Sequence, residues 1–132
     1  YNSKGNPKYF GADYDTGLRL SELHELKLDN GRSTITKEYF DTTTYIFEDN
    51  QISEVSLVKP NGKKMVTVKF DMPILAIWSK ERANAPFVCL EPWHGRCDRM
   101  EFEGDLADRE CNIVLEPGKK FNNVYSIEIS AG

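Results

Sequence analysis

Apolar and polar residues alternate at period two along much of this chain, and no useful length carries the spacing of an amphipathic helix. The clearest unit runs Glu54-Val55-Ser56-Leu57-Val58-Lys59, then Pro60-Asn61-Gly62, then Lys63 to Phe70. Pro-Asn-Gly combines a preset φ with a residue tolerant of positive φ, which predicts a hairpin turn between two strands. Val66, Val68 and Phe70 then share one face, with Thr67 and Lys69 on the other. Ile74-Leu75-Ala76-Ile77-Trp78 and Phe87 to Leu90 are continuous apolar runs, which suit central strands covered on both faces. The polar stretch Ser79 to Asn84 between them predicts a loop. Leu115-Glu116-Pro117-Gly118-Lys119 predicts a turn. After it, Tyr125, Ile127 and Ile129 alternate with Ser126 and Glu128 as a half-exposed closing strand. Leu18-Arg19-Leu20 and Leu26-Lys27-Leu28 fit an opening hairpin. Thr42 to Phe47 favours extended structure by β-branching and aromaticity, with Phe40-Asp41 placed to end a short helix before it. The pattern predicts a mainly β chain. With no repeat or linker in view, residues 1–132 read as a single domain.

The 132 residues suffice for one compact domain. The formal net charge of −4 argues against a nucleic-acid or anionic-membrane surface, either of which requires a basic patch. No stretch approaches the roughly 18 consecutive apolar residues of a membrane span. No basic, apolar leader opens the chain. Cys89, Cys97 and Cys111 make an odd count, and their spacings match no metal-binding pattern. They predict free thiols in a reducing cytoplasm and no metal. Cys89, inside an apolar run, reads as a small core residue. The first twenty residues, rich in Gly, Asn, Asp, Lys and Tyr, look like a chain cut from something longer.

Chemistry concentrates where the last central run ends. Leu90 is followed by Glu91-Pro92-Trp93-His94-Gly95-Arg96-Cys97-Asp98-Arg99. A carboxylate at the lip of an apolar run is partly desolvated, which raises its pKa and makes it a better base near neutral pH. Salt bridges from Arg96 or Arg99 to Glu91 are the structural alternative. Trp93 and Trp78 are candidate platforms for an apolar ligand face, or packing residues. Arg96, Asp98 and Arg99 either hold hydroxyl groups by charge-assisted hydrogen bonds or fix the loop as a local ion cluster. His94 is placed to bond a ligand or Glu91. His24, in Glu22-Leu23-His24-Glu25-Leu26, reads as a surface histidine.

The string Ala85-Pro86-Phe87-Val88-Cys89-Leu90-Glu91-Pro92-Trp93-x-Gly95-x-x-Asp98-Arg99 resembles the signature of the aldose 1-epimerase (galactose mutarotase-like) family, in its LacX-type branch. Glu38-Tyr39-Phe40-Asp41 ahead of Tyr45-Ile46-Phe47 is similar to the family's phenylalanine–aspartate segment. Leu75-Ala76-Ile77-Trp78-Ser79-Lys80 is similar to one of its strands. Gly104-Asp105-Leu106 and Leu115-Glu116-Pro117-Gly118 are similar to its closing loop and last turn. The resemblance covers roughly residues 29–129. It implies an antiparallel β-sandwich, the C-terminal portion of a galactose mutarotase-like supersandwich of about twice this length. It also implies a missing N-terminal half, a partner chain or a homo-dimeric substitute to cover exposed apolar faces.

What the resemblance implies chemically is mutarotation of a free aldohexose, an acid–base reaction with no cofactor. It places the general base on Glu91. The family's acid is a histidine from the earlier half of the fold, outside this chain. Trp93, His94, Arg96, Asp98, Asp41 and Trp78 are then expected around the substrate. Thr43 stands where the family commonly has a second acidic residue after Asp41. A non-catalytic carbohydrate-binding sandwich is the alternative reading.

Overall fold

In the computed structural model, which describes residues 1–130, eight strands and one short 3-10 turn form two antiparallel sheets. The strands are β1 (Lys8–Ala12), β2 (Arg19–Glu25), β3 (Tyr45–Phe47), β4 (Glu54–Val58), β5 (Lys64–Phe70), β6 (Ile74–Trp78), β7 (Cys89–Trp93) and β8 (Tyr125–Ile129), with the 3-10 turn at Leu106–Asp108. One sheet has the order β2-β1-β3-β6-β7 and the other β4-β5-β8. No helix among the described residues is long and apolar enough to cross a membrane.

The hairpin at Pro60-Asn61-Gly62 forms as its turn chemistry requires. Gly62 takes φ 85° and its N–H donates to the Lys59 carbonyl at 2.9 Å. Val55 and Val68 are cross-strand partners, and with Phe70 they face the other sheet. There they meet Tyr45, Phe47, Leu75 and Ile77 in one core cluster. Each of these large apolar side chains contributes on the order of 1.5–3 kcal/mol through burial. Thr67, on the opposite face, is nevertheless 2% exposed, and its hydroxyl bonds to that of Ser56 at 2.8 Å.

Ile74–Trp78 is a central strand, flanked by β3 and β7. Leu75 and Ile77 enter the shared core, while Ile74 and Ala76 join Ile46 in a second cluster on the other face. Burial on both faces accounts for the unbroken apolar run.

The run Phe87 to Leu90 behaves otherwise. It leads into β7, an edge strand paired only with β6, and Phe87 is 45% exposed. Pro92 lies within this strand and has no N–H to give a further neighbour, which suits an edge. Cys89 is accordingly half-buried rather than a core residue.

The opening hairpin exists but is displaced. Its strands are β1 and β2, pairing Tyr9 with His24 and Phe10 with Leu23, so Leu26-Lys27-Leu28 lies beyond it. Gly11 permits close approach of the Thr43 side chain, where any Cβ would collide. Only Tyr45–Phe47 of the Thr42–Phe47 stretch is strand, and residues 37–40 form turns instead of a short helix. The closing strand pairs with β5 as its alternation requires, yet every residue of β8 is exposed. Its apolar side chains overhang the edge of the smaller sheet, with no layer against them among the described residues.

Candidate functional site

Strand register builds the site. In the β6–β7 ladder Glu91 lies opposite Ala76, Trp93 opposite Ile74, and Cys89 opposite Trp78. Cross-strand partners point to the same face, so Cys89, Glu91, Trp93 and Trp78 share one side of the sheet. Leu90 points the other way and packs on the shared core. Glu91 is thus inside an edge strand that continues through Trp93, and the strand does not stop at its lip.

Beneath this face lie Ile46, Ile74 and Ala76, with Ala12, Trp93 and Cys97 packed against them. A pocket of about 380 Å³ opens over this floor. That volume lies within the roughly 300–1,000 Å³ of small-molecule sites. Glu91, Trp93 and Trp78 line it, together with Asp13, Tyr14, Lys80, Glu81 and Cys97.

The far wall is the turn between β1 and β2. Asp13 N–H donates to the Leu18 carbonyl at 2.8 Å, and Gly17 N–H donates to the Asp13 carbonyl at 2.8 Å. Asp13 Oδ1 accepts from the Thr16 N–H at 2.8 Å and the Thr16 hydroxyl at 2.7 Å. These bonds from Thr16 hold the Asp13 carboxyl below its ordinary range, so it stays ionised near neutral pH. The Tyr14 hydroxyl donates to the Phe40 carbonyl at 2.6 Å, and burial pushes its phenol up.

Of the residues expected around a substrate, Glu91, Trp93 and Trp78 come together here. The others do not line the pocket. Arg96 is 8% exposed and fully engaged within the protein. Its Nε donates to Glu48 at 2.6 Å, its Nη1 to the Cys97 carbonyl at 2.9 Å, and its Nη2 to Glu110. Burial works against its charge, but Glu110 and Glu48 more than offset that and hold the guanidinium firmly charged. Arg19 Nε shares the same Glu48 oxygen at 2.9 Å, with its guanidinium carbon 3.5 Å from the centre of the Phe10 ring. Asp98 accepts from Arg109 Nε at 2.6 Å. Arg96 and Asp98 therefore belong to an ion network that ties residues 96–110 to the sheet. Arg99 joins it through Glu110 at 3.7 Å, so neither arginine pairs with Glu91.

Asp41 accepts from the Arg82 N–H at 3.1 Å and orders the loop after β6. His94 turns away from Glu91. Its Nε2 lies 3.3 Å from Asn123 Oδ1, and its ring meets Phe121 edge-on with centroids 5.0 Å apart. His24 sits on β2 with its ring centroid 5.4 Å from that of Tyr9. Neither histidine lines the Glu91 pocket.

Pocket residues not anticipated from the sequence include Asp13, Tyr14, Lys80, Glu81 and Cys97. Asp13-Tyr14-Asp15-Thr16-Gly17 carries ordinary turn chemistry, and its role appears only once β1 is known to pair beside β3. Lys80 follows Trp78 by two residues, so strand alternation would have placed it on the same face. All three cysteines are free thiols. Burial raises the Cys97 thiol, with Arg96 opposing. Burial also raises that of Cys89, reinforced by the Glu91 carboxylate beside it.

Chemically, the arrangement sets an acceptor carboxylate above an apolar floor, between indole rings, with further carboxylates across the gap. It can accept hydrogen bonds or a proton from a hydroxyl group while a ring face rests on tryptophan. No group of three or more potential metal ligands occurs among the described residues. No family model, curated protein or solved structure matches the chain.

Proposed function

We propose that the pocket binds a free aldohexose and that the chain is the base-bearing part of an aldose 1-epimerase-type mutarotase. The observation that carries this reading is the placement of Glu91 between Trp78 and Trp93 on one face of the β6–β7 ladder, over a pocket of about 380 Å³. The resemblance of residues 85–99 to the galactose mutarotase-like family assigns the base to the same carboxylate. In this reading the two sheets are the C-terminal portion of that family's sandwich.

Glu91 removes the proton of the C1 hydroxyl while an acid protonates the ring oxygen. The bond between C1 and the ring oxygen breaks, leaving an open-chain aldehyde. Rotation about the C1–C2 bond and closure on the opposite face reverse both proton transfers and yield the other anomer. Trp78 and Trp93 supply stacking surfaces for the CH faces of the ring. The lining holds three carboxylates, Asp13, Glu81 and Glu91, against one cation, Lys80. That balance favours a neutral polyhydroxylated ligand over a sugar phosphate. With no histidine in the pocket wall, the acid comes from an N-terminal half, a partner chain or a second copy.

The same absence of a histidine favours a second reading, a sandwich that holds a carbohydrate without turning it over. Titration of the chain with glucose and galactose, read by tryptophan fluorescence and saturation-transfer NMR, tests what both readings share. Saturable binding that is lost in Trp93→Ala supports a sugar site at Glu91. No binding to either sugar removes both readings.

A further inference from the structure

An opening larger than the Glu91 pocket lies on the other side of the five-stranded sheet, where the shared core runs out. It is a cleft of about 750 Å³ between the two sheets. Leu57 of β4, Ile77 of β6, Leu90 of β7 and the neighbouring Val88 line its floor. Its mouth is formed by the loop at residues 30–35 and by the hairpin turn at Lys59–Gly62.

Two cations stand at that mouth. Arg32 is exposed and reaches across to the hairpin turn, its Nη1 3.8 Å from where a Cβ on Gly62 would lie. Lys59 begins the same turn and is also exposed. Lys64, nearby, is paired with Glu54 at 3.2 Å. Among the described residues neither Arg32 nor Lys59 has a carboxylate at ion-pair distance. In a chain of net charge −4, the lining of this cleft carries three side-chain cations, Arg32, Lys59 and Lys64, against one carboxylate, Glu54.

We infer that this cleft binds a single-chain amphiphile with a carboxylate head. The chain lies along Leu57, Ile77, Val88 and Leu90, and the head is held by Arg32 and Lys59. An arginine fork meets a carboxylate with two parallel hydrogen bonds, and the lysine adds a point charge. Each methylene moved from water into the cleft raises affinity about fourfold. A second copy of the chain is a poorer occupant. A two-fold contact centred on this cleft would bring Arg32 and Lys59 of both copies together, and like charges oppose such a contact.

The test is calorimetric titration of the chain with sodium dodecanoate and with dodecyltrimethylammonium, both below their micellar concentrations, with light scattering on the same samples. Saturable one-to-one binding of dodecanoate to a monomer is expected, with the cationic amphiphile about tenfold weaker or worse. The double variant Arg32→Ala/Lys59→Ala changes two exposed side chains, and its melting temperature checks the fold. It is expected to lose about tenfold in dodecanoate affinity. Glu91→Gln leaves dodecanoate binding unchanged, because the sugar pocket is on the opposite face. Equal binding of both amphiphiles, undiminished affinity in the folded double variant, no saturable binding, or a dimer that dodecanoate does not dissociate each overturns the inference.

Discussion

Glu91 faces Ala76 across the β6–β7 ladder, so its carboxylate stands beside the smallest side chain of the central strand. Ala76 is 0% exposed, with Ile46 and Ile74 beside it. A larger residue there would grow upward into the space next to Glu91. Ala76→Leu should therefore lower stability by about 1–3 kcal/mol through overpacking. It should also abolish the sugar-induced change in tryptophan fluorescence. A stable Ala76→Leu variant that binds sugar as the parent does would move the ligand away from Glu91.

Glu91→Gln keeps the shape and one acceptor oxygen but removes the proton acceptor. Sugar binding, measured by saturation-transfer NMR, should survive within a few-fold while proton transfer is lost. If binding disappears as well, Glu91 is a ligand for the sugar whose charge is needed, and the division between holding and reacting fails.

Arg96 should be a stability residue. Arg96→Ala leaves the inward-facing Glu48 with only Arg19 and removes the hydrogen bond to Glu110. Breaking a buried pair from one side costs on the order of 3–5 kcal/mol. The expected result is a large fall in melting temperature. Where the variant remains folded at low temperature, sugar affinity should be little changed. A normal melting temperature with lost affinity would return Arg96 to the ligand.

The same network sets an acid limit. Hydrogen bonding from Arg96 depresses the Glu110 carboxyl in the folded protein. A depressed carboxyl contributes its stability above the unfolded-state value and loses it as pH falls through the folded one. Melting temperature should therefore decline as pH drops below the ordinary glutamate range of about 4.3. Glu110→Gln should flatten that decline. A decline of the same slope in the variant would assign the acid sensitivity to other carboxylates. The half-exposed position of Glu110 limits the size of the effect.

Much of this architecture is legible where local chemistry and burial agree. Pro60-Asn61-Gly62 dictates its hairpin, and Ile74–Trp78 reads as a central strand because both of its faces are covered. Phe87 to Leu90 carries the same apolar signal and is an edge. Apolar content alone does not distinguish a strand with two neighbours from one with a single neighbour and a half-open face. Pro92, with no N–H to offer a second neighbour, is the residue in which the difference lies. β1 is not legible in the sequence because Lys8-Tyr9-Phe10-Gly11-Ala12 breaks its alternation at a glycine demanded by Thr43, a contact 32 positions away. Glu91, Trp93 and Trp78 are grouped in the sequence only by the family resemblance, since alternation along β7 joins Glu91 to Trp93 but Trp78 reaches them through the β6–β7 register. Arg96 and Asp98 could not be separated from them, since an ion cluster and a hydroxyl-binding set use the same residue types. Only the positions of Glu48, Glu110 and Arg109 decide between the two.

The most direct test of the central claim is the rate at which freshly dissolved α-glucose and α-galactose change optical rotation. The chain is supplied with the segment or partner that completes its acid, and Glu91→Gln is run alongside. Mutarotation well above the buffer rate, reduced to the buffer rate by Glu91→Gln, is the result predicted here. A rate no faster than buffer, or full activity in Glu91→Gln, would contradict the assignment of Glu91 as the base.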